Sequence, residues 1–418
     1  MQDIKETIDR DLLWLATAGS VDNGKSTLIG RLLHDCHAIY QDQLSSLEKI
    51  SFKKGLSEVD LSLLTDGLSA EREQGITIDV AYHYFNTDRR RIIIADVPGH
   101  EQYTRNMVTG CSNADAVLIL MDAQKGLTTQ SKRHLFIASM MKIPNILIVV
   151  NKMDAVDYRQ DVFAKIKQDC LSYISRLNIK EVDFIPVSAI KGDMVVFRGE
   201  AMPWYKDTTI IEYLNKIKVS LSNNEDSLRL PIQLTVRGEG EPRCYTGKME
   251  SGVLKKGDEV LILPSKIKTA IKAIFIGKKK LEMAKAGQSV SVMLVDEIDV
   301  GRGDLIVRQS ELPEKANEIE AMLCWMDNNP LEMGRSYLIK QMNKTCRVDI
   351  SNVSYRVNID NLYHESAASL RLNEIGRVFV KTNNELLFDA YEDNKYTGSF
   401  ILIDEINKST AAAGIILN

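Results

Sequence analysis

The chain has 418 residues, of which 44% are hydrophobic and 26% are charged, and its formal net charge is -4. A single hydrophobic core stops growing near ~250–300 residues, so this length predicts two or three domains. The charge balance gives no push toward nucleic acid or an anionic membrane. The first ten residues are polar, unlike a secretory signal, and no apolar run reaches the ~18 residues of a membrane-spanning helix. The six cysteines are scattered and form no CxxC pair. We therefore predict a cytoplasmic protein with reduced thiols.

The first half of the chain alternates short apolar runs with polar segments of helix length, such as Thr129 to Lys142 and Tyr158 to Leu177. The runs are nearly continuous, as in parallel strands buried on both faces. This βαβ pattern predicts an α/β domain with a doubly wound, mostly parallel sheet. The predicted strands are Leu12 to Ala18, Arg91 to Asp96, Asp115 to Asp122, Asn145 to Val150 and Asp183 to Val187.

The pattern changes after a polar segment from Ser222 to Leu228, which we interpret as a linker. Many short strands with glycine turns follow, and they favour closed all-β barrels. The turns are predicted at Gly247 to Met249, Lys256 to Asp258, Ala286 to Gly287 and Gly301 to Gly303. A second break falls near Leu312 to Glu314. We therefore predict three domains: a nucleotide-binding domain at residues 1–222 and β-barrels at residues 228–312 and 314–418.

A phosphate-binding loop follows the first apolar run. It fits the pattern G-x-x-x-x-G-K-[ST] and precedes a helix-compatible segment, which is the context that this motif requires. Glycines let the backbone wrap around the phosphates, and the helix N-terminus adds the positive end of its dipole. Lys25 is expected to reach the β- and γ-phosphates, and the Ser26 hydroxyl to bind Mg²⁺. The residues predicted to bind nucleotide here are Gly19, Ser20, Val21, Asp22, Asn23, Gly24, Lys25, Ser26 and Thr27.

A second motif stands at the end of the apolar run that closes on Asp96. It consists of Asp96, Val97, Pro98 and Gly99. Asp96 is expected to hold Mg²⁺ through a water molecule, and the Gly99 N–H to contact the γ-phosphate. Ligands bind at the carboxyl ends of strands in doubly wound sheets, so this motif is expected to face the phosphate-binding loop.

Two further motifs indicate that the base is guanine. The Asp154 carboxylate is suited to accept hydrogen bonds from guanine N1–H and the 2-amino group. Adenine lacks this donor pair, so the site would reject ATP by leaving a charge unpaired. The backbone of Ser188 and Ala189, after the fifth apolar run, is expected to meet guanine O6. The base-binding residues predicted are Asn151, Lys152, Met153, Asp154, Ser188 and Ala189.

The segment from Glu71 to Asp79 is interpreted as a switch, with a charged surface loop as the alternative. Thr77 is expected to ligate Mg²⁺ and touch the γ-phosphate only while GTP is bound, so loss of that phosphate would release the loop. His100 stands where many small GTPases carry a glutamine that orients the attacking water. We hypothesise, by analogy, that Val21 and Ile76 gate His100. The predicted catalytic residues are therefore Lys25, Thr77 and His100, with Ser26, Thr77 and Asp96 as the Mg²⁺ site.

These motifs resemble those of the translational GTPase superfamily, whose elongation factor Tu-like architecture implies a GTP-binding domain followed by two β-barrels. Ser20 and Asn23 depart from translation factors, which commonly have histidine at both positions. The chain is more similar to the large, GTPase subunit of bacterial sulfate adenylyltransferase, and the similarity covers nearly its whole length. The segments that carry it are Gly19 to Asp35, Asp66 to Phe85, Asp96 to Gly110, Asn151 to Tyr158, Met202 to Tyr205, Asp296 to Leu305 and Asn394 to Gly414.

Small departures from that family are Asn23 where aspartate is usual, Val97 where threonine is usual, and a divergent stretch from Gly238 to Pro242. The resemblance implies GTP and Mg²⁺ as ligands and a heterodimer with a small catalytic subunit. That subunit makes adenosine 5′-phosphosulfate and pyrophosphate from ATP and sulfate, and GTP hydrolysis drives this uphill reaction. Some relatives carry a fused adenylylsulfate kinase. The chain ends at Asn418 without a second phosphate-binding motif, so no kinase activity is expected.

Two other functions stay open at this point: a translation factor that binds aminoacyl-tRNA or ribosomes, and a GTPase that has lost its sulfur-metabolism partner. The cluster of His34, Cys36 and His37 is better explained as helix surface than as a metal site. The run from Lys278 to Lys280 is interpreted as a solvated barrel turn, and Trp325 as a core residue.

Overall fold

The computed structural model describes residues 11–53, 59–64, 80–100, 104–219, 227–237 and 243–417. The chain divides into two compact units. The first unit comprises Met1–Val219 and Ile359–Leu362, and the second comprises Ser220–Asn358 and Tyr363–Asn418. The first unit thus contains the βαβ half of the sequence, and the second contains the strand-rich half. The boundaries of the three predicted domains stay a prediction.

A six-stranded sheet forms the centre of the first unit. Its strands are β1 (Asp11–Gly19), β2 (Ala81–Asn86), β3 (Arg90–Asp96), β4 (Ala116–Asp122), β5 (Asn145–Asn151) and β6 (Val182–Pro186). They lie in the order β2-β3-β1-β4-β5-β6. Only the β2–β3 pair is antiparallel. Every residue of β4 is buried, as expected for a central strand covered on both faces. The predicted mostly parallel sheet is confirmed.

Helices connect these strands within the described part of the first unit. The helices are α1 (Lys25–Asp35), α2 (Gln41–Lys53), α3 (Thr104–Cys111), α4 (Thr129–Met140), α5 (Gln160–Ile174) and α6 (Ile210–Lys216), with short 3₁₀ helices at Leu61–Leu64 and Met153–Val156. Side-chain caps set two of the starts. Thr128 accepts a hydrogen bond from the Ser131 N–H at α4, and Thr209 forms a capping box with Glu212 at α6. The two helices predicted from length and polarity are both present.

Parallel strand order places the predicted motifs at one edge of the sheet. Thr17 of β1 pairs with Asp96 of β3, and Asp122 of β4 pairs with Asn151 of β5. The carboxyl ends of β1, β3, β4, β5 and β6 therefore meet at the same edge, where ligands bind in sheets of this class. This is the edge at which the candidate site is built.

The second unit contains two antiparallel barrels. In the first, the strand order β10-β15-β7-β8-β14-β11-β12 is closed by an additional β10–β11 pairing, and β9 pairs with β13 beside it. Its strands are β7 (Leu230–Val236), β8 (Cys244–Lys248), β9 (Val253–Lys255), β10 (Glu259–Leu263), β11 (Ile267–Ile276), β12 (Lys279–Leu281), β13 (Met283–Lys285), β14 (Ser289–Leu294) and β15 (Leu305–Val307).

The second barrel has the order β17-β21-β22-β16-β20-β18-β19 and is closed by a β17–β18 pairing. Its strands are β16 (Glu314–Trp325), β17 (Ser336–Gln341), β18 (Lys344–Val357), β19 (His364–Glu365), β20 (Ile375–Phe388), β21 (Ser399–Asp404) and β22 (Thr410–Ile416). Trp325 is 1% exposed, and its indole N–H donates to the Asn329 carbonyl at 2.8 Å. Its predicted role as a core residue is confirmed, and so is the prediction of all-β barrels.

One predicted turn is wrong. Gly247 lies inside strand β8, where it pairs with Val290 of β14 and Ile232 of β7. A Cβ at this position would overlap the Pro231 carbonyl oxygen. Glycine is therefore needed here because two strands approach each other closely, and not because the chain turns. Close approach of another backbone is a common reason for glycine inside a strand.

Candidate nucleotide-binding site

The phosphate-binding loop joins β1 to α1, and its backbone requires glycine at position 24. Gly24 has a φ of 85° and caps α1, and Asp22 also has a positive φ of 66°. A Cβ at Gly24 would lie 2.5 Å from the Asn151 side-chain nitrogen. Both the left-handed conformation and the close contact exclude a side chain here. Such a cradle fits a phosphate chain, because the amides at the start of α1 are left for the ligand.

The Lys25 side chain is buried beneath this loop, with 8% of the residue exposed. Its ammonium group donates to the carbonyls of Gly19 at 2.8 Å and Ser20 at 3.3 Å. Burial lowers the pKa of Lys25, while the charges of Asp96 and Asp22 act in the opposite direction. A cation held in a desolvated position has a strong electrostatic interaction with an incoming phosphate.

Gly99 lies against this lysine. A Cβ at Gly99 would overlap the Lys25 ammonium nitrogen and lie 2.7 Å from the Gly19 carbonyl oxygen. The backbone after β3 therefore approaches the phosphate-binding loop more closely than any side chain would permit. This juxtaposition is the one expected if the amide of Gly99 and the amine of Lys25 serve the same phosphate.

Asp96 is fully buried at the end of β3. One of its carboxylate oxygens accepts a hydrogen bond from the Thr17 hydroxyl at 3.2 Å, which fixes the carboxylate next to β1. Val97 is also fully buried, and a Cβ at Gly110 of α3 would lie 2.6 Å from it. Ser26 occupies the first turn of α1 and is partly exposed. The donor set of a serine hydroxyl and a carboxylate suits Mg²⁺, a hard cation that prefers oxygen ligands.

Asn151 joins the phosphate-binding loop to the predicted base-binding loop. Its side-chain NH₂ donates to the Asn23 carbonyl at 2.8 Å, and its side-chain oxygen accepts from the Ala189 N–H at 3.0 Å. Asn23 is itself held by donating to the Leu120 carbonyl at 2.7 Å. Since Asn151 is 2% exposed, these contacts form inside the protein and fix the distance between the two loops. A contact between the Ala189 N–H and guanine O6 would have to share that donor with Asn151.

Asp154 and Ser188 lie side by side at the base-binding end. The Ser188 hydroxyl donates to an Asp154 carboxylate oxygen at 2.6 Å. Ser188 is fully buried, whereas Asp154 is partly exposed and open to a ligand. The orientation of this carboxylate is therefore fixed before any base arrives, which reduces the ordering that binding requires.

Lys152 and Met153 complete the second motif. The Lys152 ammonium forms an ion pair with Asp122 at 2.9 Å, and Met153 is fully buried. Asp122 lies at the carboxyl end of β4. Because ligands bind at the carboxyl ends of strands in sheets of this class, the sequence could have predicted Asp122 as a site residue. Thr17, inside an apolar run, and Arg31, on a helix, carry no such signal and were missed.

The predicted switch residues Ile76 and Thr77 lie outside the described residues. His100 is described and is partly buried directly after Gly99, and Pro98 is buried beside it. Val21 is partly exposed in the phosphate-binding loop, and Thr27 lies in the first turn of α1. In the described part of the chain, no three His, Cys, Asp or Glu side chains converge as a metal cluster. None of the described helices is long and apolar enough to cross a membrane.

Comparison with known proteins bears on both ends of the chain. The protein-family model for the elongation factor Tu GTP binding domain matches residues 10–231. A second model, described as GTP-eEF1A C-terminal domain-like, matches residues 318–417. The two matches agree with a GTP-binding α/β domain at the start and a β-barrel at the end.

Curated relatives match over nearly the whole chain. The chain is 46% identical to sulfate adenylyltransferase subunit 1 of Bacteroides fragilis, over 100% of this chain and 89% of that protein. The same-named protein of Laribacter hongkongensis is 46% identical, over 97% of this chain and 85% of its own length. The bifunctional enzyme CysN/CysC of Rhodopirellula baltica is 44% identical, over 99% of this chain and 65% of its own length.

Proposed function

Because the chain belongs to the family of sulfate adenylyltransferase subunit 1, we propose that it couples GTP hydrolysis to adenylyl transfer on a separate small subunit. The small subunit would form adenosine 5′-phosphosulfate and pyrophosphate from ATP and sulfate, in the service of sulfate assimilation. This reaction is uphill, so it gains from a second, exergonic hydrolysis. Membership of this family, rather than of the translation factors, also argues against the tRNA-binding alternative.

The observation that carries the GTP-binding part of this proposal is the hydrogen-bonded link through Asn151. It joins the loop that carries Lys25 to the loop that carries Ser188, and Ser188 orients Asp154. Phosphate-binding and base-binding groups thereby form one connected unit at a single edge of the sheet. A site of this kind is selective for guanine, because the Asp154 carboxylate accepts from the N1–H and 2-amino donors that adenine lacks.

Each phosphate-binding group has a defined task in this proposal. The buried Lys25 ammonium neutralises the β- and γ-phosphates, and the Gly99 N–H donates to the γ-phosphate. Ser26, Thr77 and, through water, Asp96 would hold Mg²⁺. Bound Mg²⁺ would supply positive charge that neutralises the charge developing on the phosphate oxygens.

His100 is proposed to orient the attacking water and Thr77 to report the γ-phosphate. A water molecule aligned by the imidazole of His100 needs no covalent intermediate, because phosphoryl transfer depends mainly on positioning and charge neutralisation. Thr77 would leave the site when the γ-phosphate is lost, and the segment from Glu71 to Asp79 would then change its contacts. Hydrolysis of GTP would thereby alter the surface that the chain presents to its partner.

The proposal predicts that Asp154→Asn changes the required nucleotide from GTP to XTP. An asparagine NH₂ donates to the 2-oxo group of xanthine but meets the 2-amino group of guanine as a second donor. The measurement is adenosine 5′-phosphosulfate formation by this chain together with its small subunit, titrated with each nucleotide. We expect the variant to be stimulated by XTP and to lose most stimulation by GTP.

Asp157→Asn is the matched control. Asp157 lies on the same turn, is exposed, and has a φ of 53° that asparagine tolerates. It should keep its preference for GTP. Stimulation of Asp154→Asn by GTP at the wild-type level would contradict the proposed base-binding role. Equal product formation by the wild-type complex with and without GTP would contradict the coupling itself.

A further inference from the structure

The side chain of Arg31 connects the helix that follows the phosphate-binding loop to the base-binding loop. Arg31 lies on α1, six residues after Lys25, and points toward the loop after β6. Its Nε donates to the Ala189 carbonyl at 3.2 Å, and its Nη2 donates to the Ile190 carbonyl at 2.5 Å. One guanidinium group thus holds two consecutive peptide groups of the loop that follows Ser188.

Neighbouring groups keep this guanidinium in place. Arg31 Nη1 lies 3.7 Å from an Asp35 carboxylate oxygen, one turn further along α1, and the two side chains are 20% and 9% exposed. A Cβ at Gly192, whose φ is 84°, would lie 3.5 Å from Arg31 Cδ and 3.6 Å from the Asp35 carboxylate. A side chain at position 192 would therefore contact the Arg31 side chain, and the glycine leaves this space open. A fixed fork of donors of this kind loses little conformational freedom when it binds two acceptors.

Holding two carbonyl oxygens also fixes the direction of the neighbouring amides. In a planar trans peptide the N–H points away from the C=O. Arg31 therefore turns the Ile190 and Lys191 N–H groups away from α1, and the Lys191 N–H does meet the Ser188 hydroxyl at 3.3 Å. The Ser188 hydroxyl is the same group that donates to Asp154. The contacts of Arg31 thus orient the Ile190 and Lys191 amides of the segment that would read the six-position of the base.

We propose that Arg31 is a positioning residue for base recognition: it fixes the peptide that joins Ala189 to Ile190, so that the Ile190 N–H discriminates the O6 acceptor of guanine from the amino group of adenine. This inference rests on the proposed guanine site and goes beyond it, because the motifs of that site do not include Arg31. Arg31 acts through the loop and contacts no reacting atom. Asp154 lies on another segment and contacts this loop only through the Ser188 side chain among the described hydrogen bonds, so the reading of the 2-amino group should depend on Arg31 much less than the reading of O6.

The test is the affinity of the full chain for GDP, IDP and ADP, measured by competition against a fluorescent guanine nucleotide. IDP has the O6 of GDP but lacks its 2-amino group, whereas ADP has an amino group in place of O6. For Arg31→Ala we expect GDP and IDP to bind about tenfold more weakly, which is the size of a lost hydrogen bond between a backbone amide and O6. The ratio of the GDP affinity to the IDP affinity should be nearly unchanged. The ratio of the GDP affinity to the ADP affinity should fall about tenfold. Lysine is a single-point donor, so the GDP affinity of Arg31→Lys should lie between those of the wild type and Arg31→Ala.

Arg159→Ala is the matched control, because Arg159 is an exposed arginine of the same unit that pairs only with nearby Asp161 among the described contacts. It should bind all three nucleotides as the wild type does. Unchanged GDP affinity in a folded Arg31→Ala protein, or an equal loss for GDP and ADP, would overturn the inference. If Arg31→Ala does not fold, the same ratios measured for Arg31→Lys decide the matter. A wild-type chain that does not prefer GDP to ADP would instead overturn the proposed function.

Discussion

Lys25 and Asp96 are charged groups that are buried inside the protein. The Lys25 ammonium relies on two backbone carbonyls and the Asp96 carboxylate on the Thr17 hydroxyl, and burial lowers the pKa of the lysine. Burying charged groups is costly, and buried charges gathered in one place are typical of functional sites. These two side chains alone therefore indicate a functional site.

His100 is the residue on which the proposed hydrolysis depends most directly. We predict that His100→Ala keeps GTP binding, because the contacts of Lys25 and Asn151 are unaffected, but lowers the rate of GTP hydrolysis by about a hundredfold or more. Single-turnover hydrolysis of GTP, measured beside the affinity for a non-hydrolysable GTP analogue, separates the two effects.

His100→Gln provides the comparison for that experiment. A glutamine amide can also orient a water molecule, so this variant should retain more activity than the alanine variant. Wild-type turnover by His100→Ala would remove His100 from the mechanism. A matching loss of GTP affinity would assign it to binding rather than to hydrolysis.

Sequence patterns predicted the residues whose chemistry is local. Lys25, Asp96 and Asp154 were found because each belongs to a short motif at the end of an apolar run. Arg31 was missed, because its partners Ala189 and Ile190 are about 160 positions away in the chain and no local pattern encodes that contact. The same holds for Thr17, which reads as part of a buried strand until its pairing with Asp96 is seen.

Among the elements, the turn from β1 into α1 is the one whose backbone geometry is most constrained. Gly24 combines a left-handed conformation with a close approach to Asn151. The motif alone predicted a glycine at this position and its contact with phosphate. It did not predict that the glycine also makes room for the side chain that links this turn to the base-binding loop.

We predict that Gly24→Ala abolishes tight binding of guanine nucleotides while the fold survives. The added methyl group overlaps the Asn151 amide and should displace it from the Asn23 carbonyl, in addition to a backbone cost of about 1–2 kcal/mol for the left-handed conformation. Calorimetric titration with GDP and thermal unfolding measure the two effects separately.

Gly126→Ala serves as the control for backbone strain. Gly126 also has a positive φ, 66°, but a Cβ there would meet only Ile166, at 3.8 Å. This variant should show the stability cost without a loss of GDP affinity. Normal GDP binding by Gly24→Ala would contradict the tight packing of Gly24 against Asn151.

The order of strands and helices in the first unit was predictable because continuous apolar runs and polar helical segments differ clearly in period. Strand details in the barrels were less predictable. Gly247 was taken for a turn, although it lies in β8 against Pro231. Glycine marks both turns and close strand contacts, and only the pairing of distant strands distinguishes them.

At the scale of the whole molecule, the two barrels of the second unit are fastened to each other by a buried ion pair. The Arg229 guanidinium donates to both Asp389 carboxylate oxygens, at 2.8 and 2.7 Å, and Asp389 also accepts from the Thr397 hydroxyl. A small apolar cluster accompanies this pair, formed by Leu261, Leu263, Leu305, Val307 and Leu387. A buried bidentate pair with apolar neighbours favours one relative orientation of the two barrels.

No local signal in the sequence predicts this pairing, since Arg229 and Asp389 belong to different barrels. The presence of β-barrels could be predicted from short strands and turns, but their mutual arrangement depends on contacts between residues more than a hundred positions apart. It is the GTP-binding unit, in our account, that changes its contacts when the γ-phosphate is lost.

The most direct test of the account is sulfate-dependent release of pyrophosphate from ATP by this chain together with its small subunit, measured with and without GTP. We predict stimulation by GTP of about tenfold or more, within the usual range of coupling energies, and its loss in Lys25→Ala. Unstimulated pyrophosphate release by an active complex, or full stimulation of the Lys25→Ala complex, would contradict the claim that this site drives adenylyl transfer.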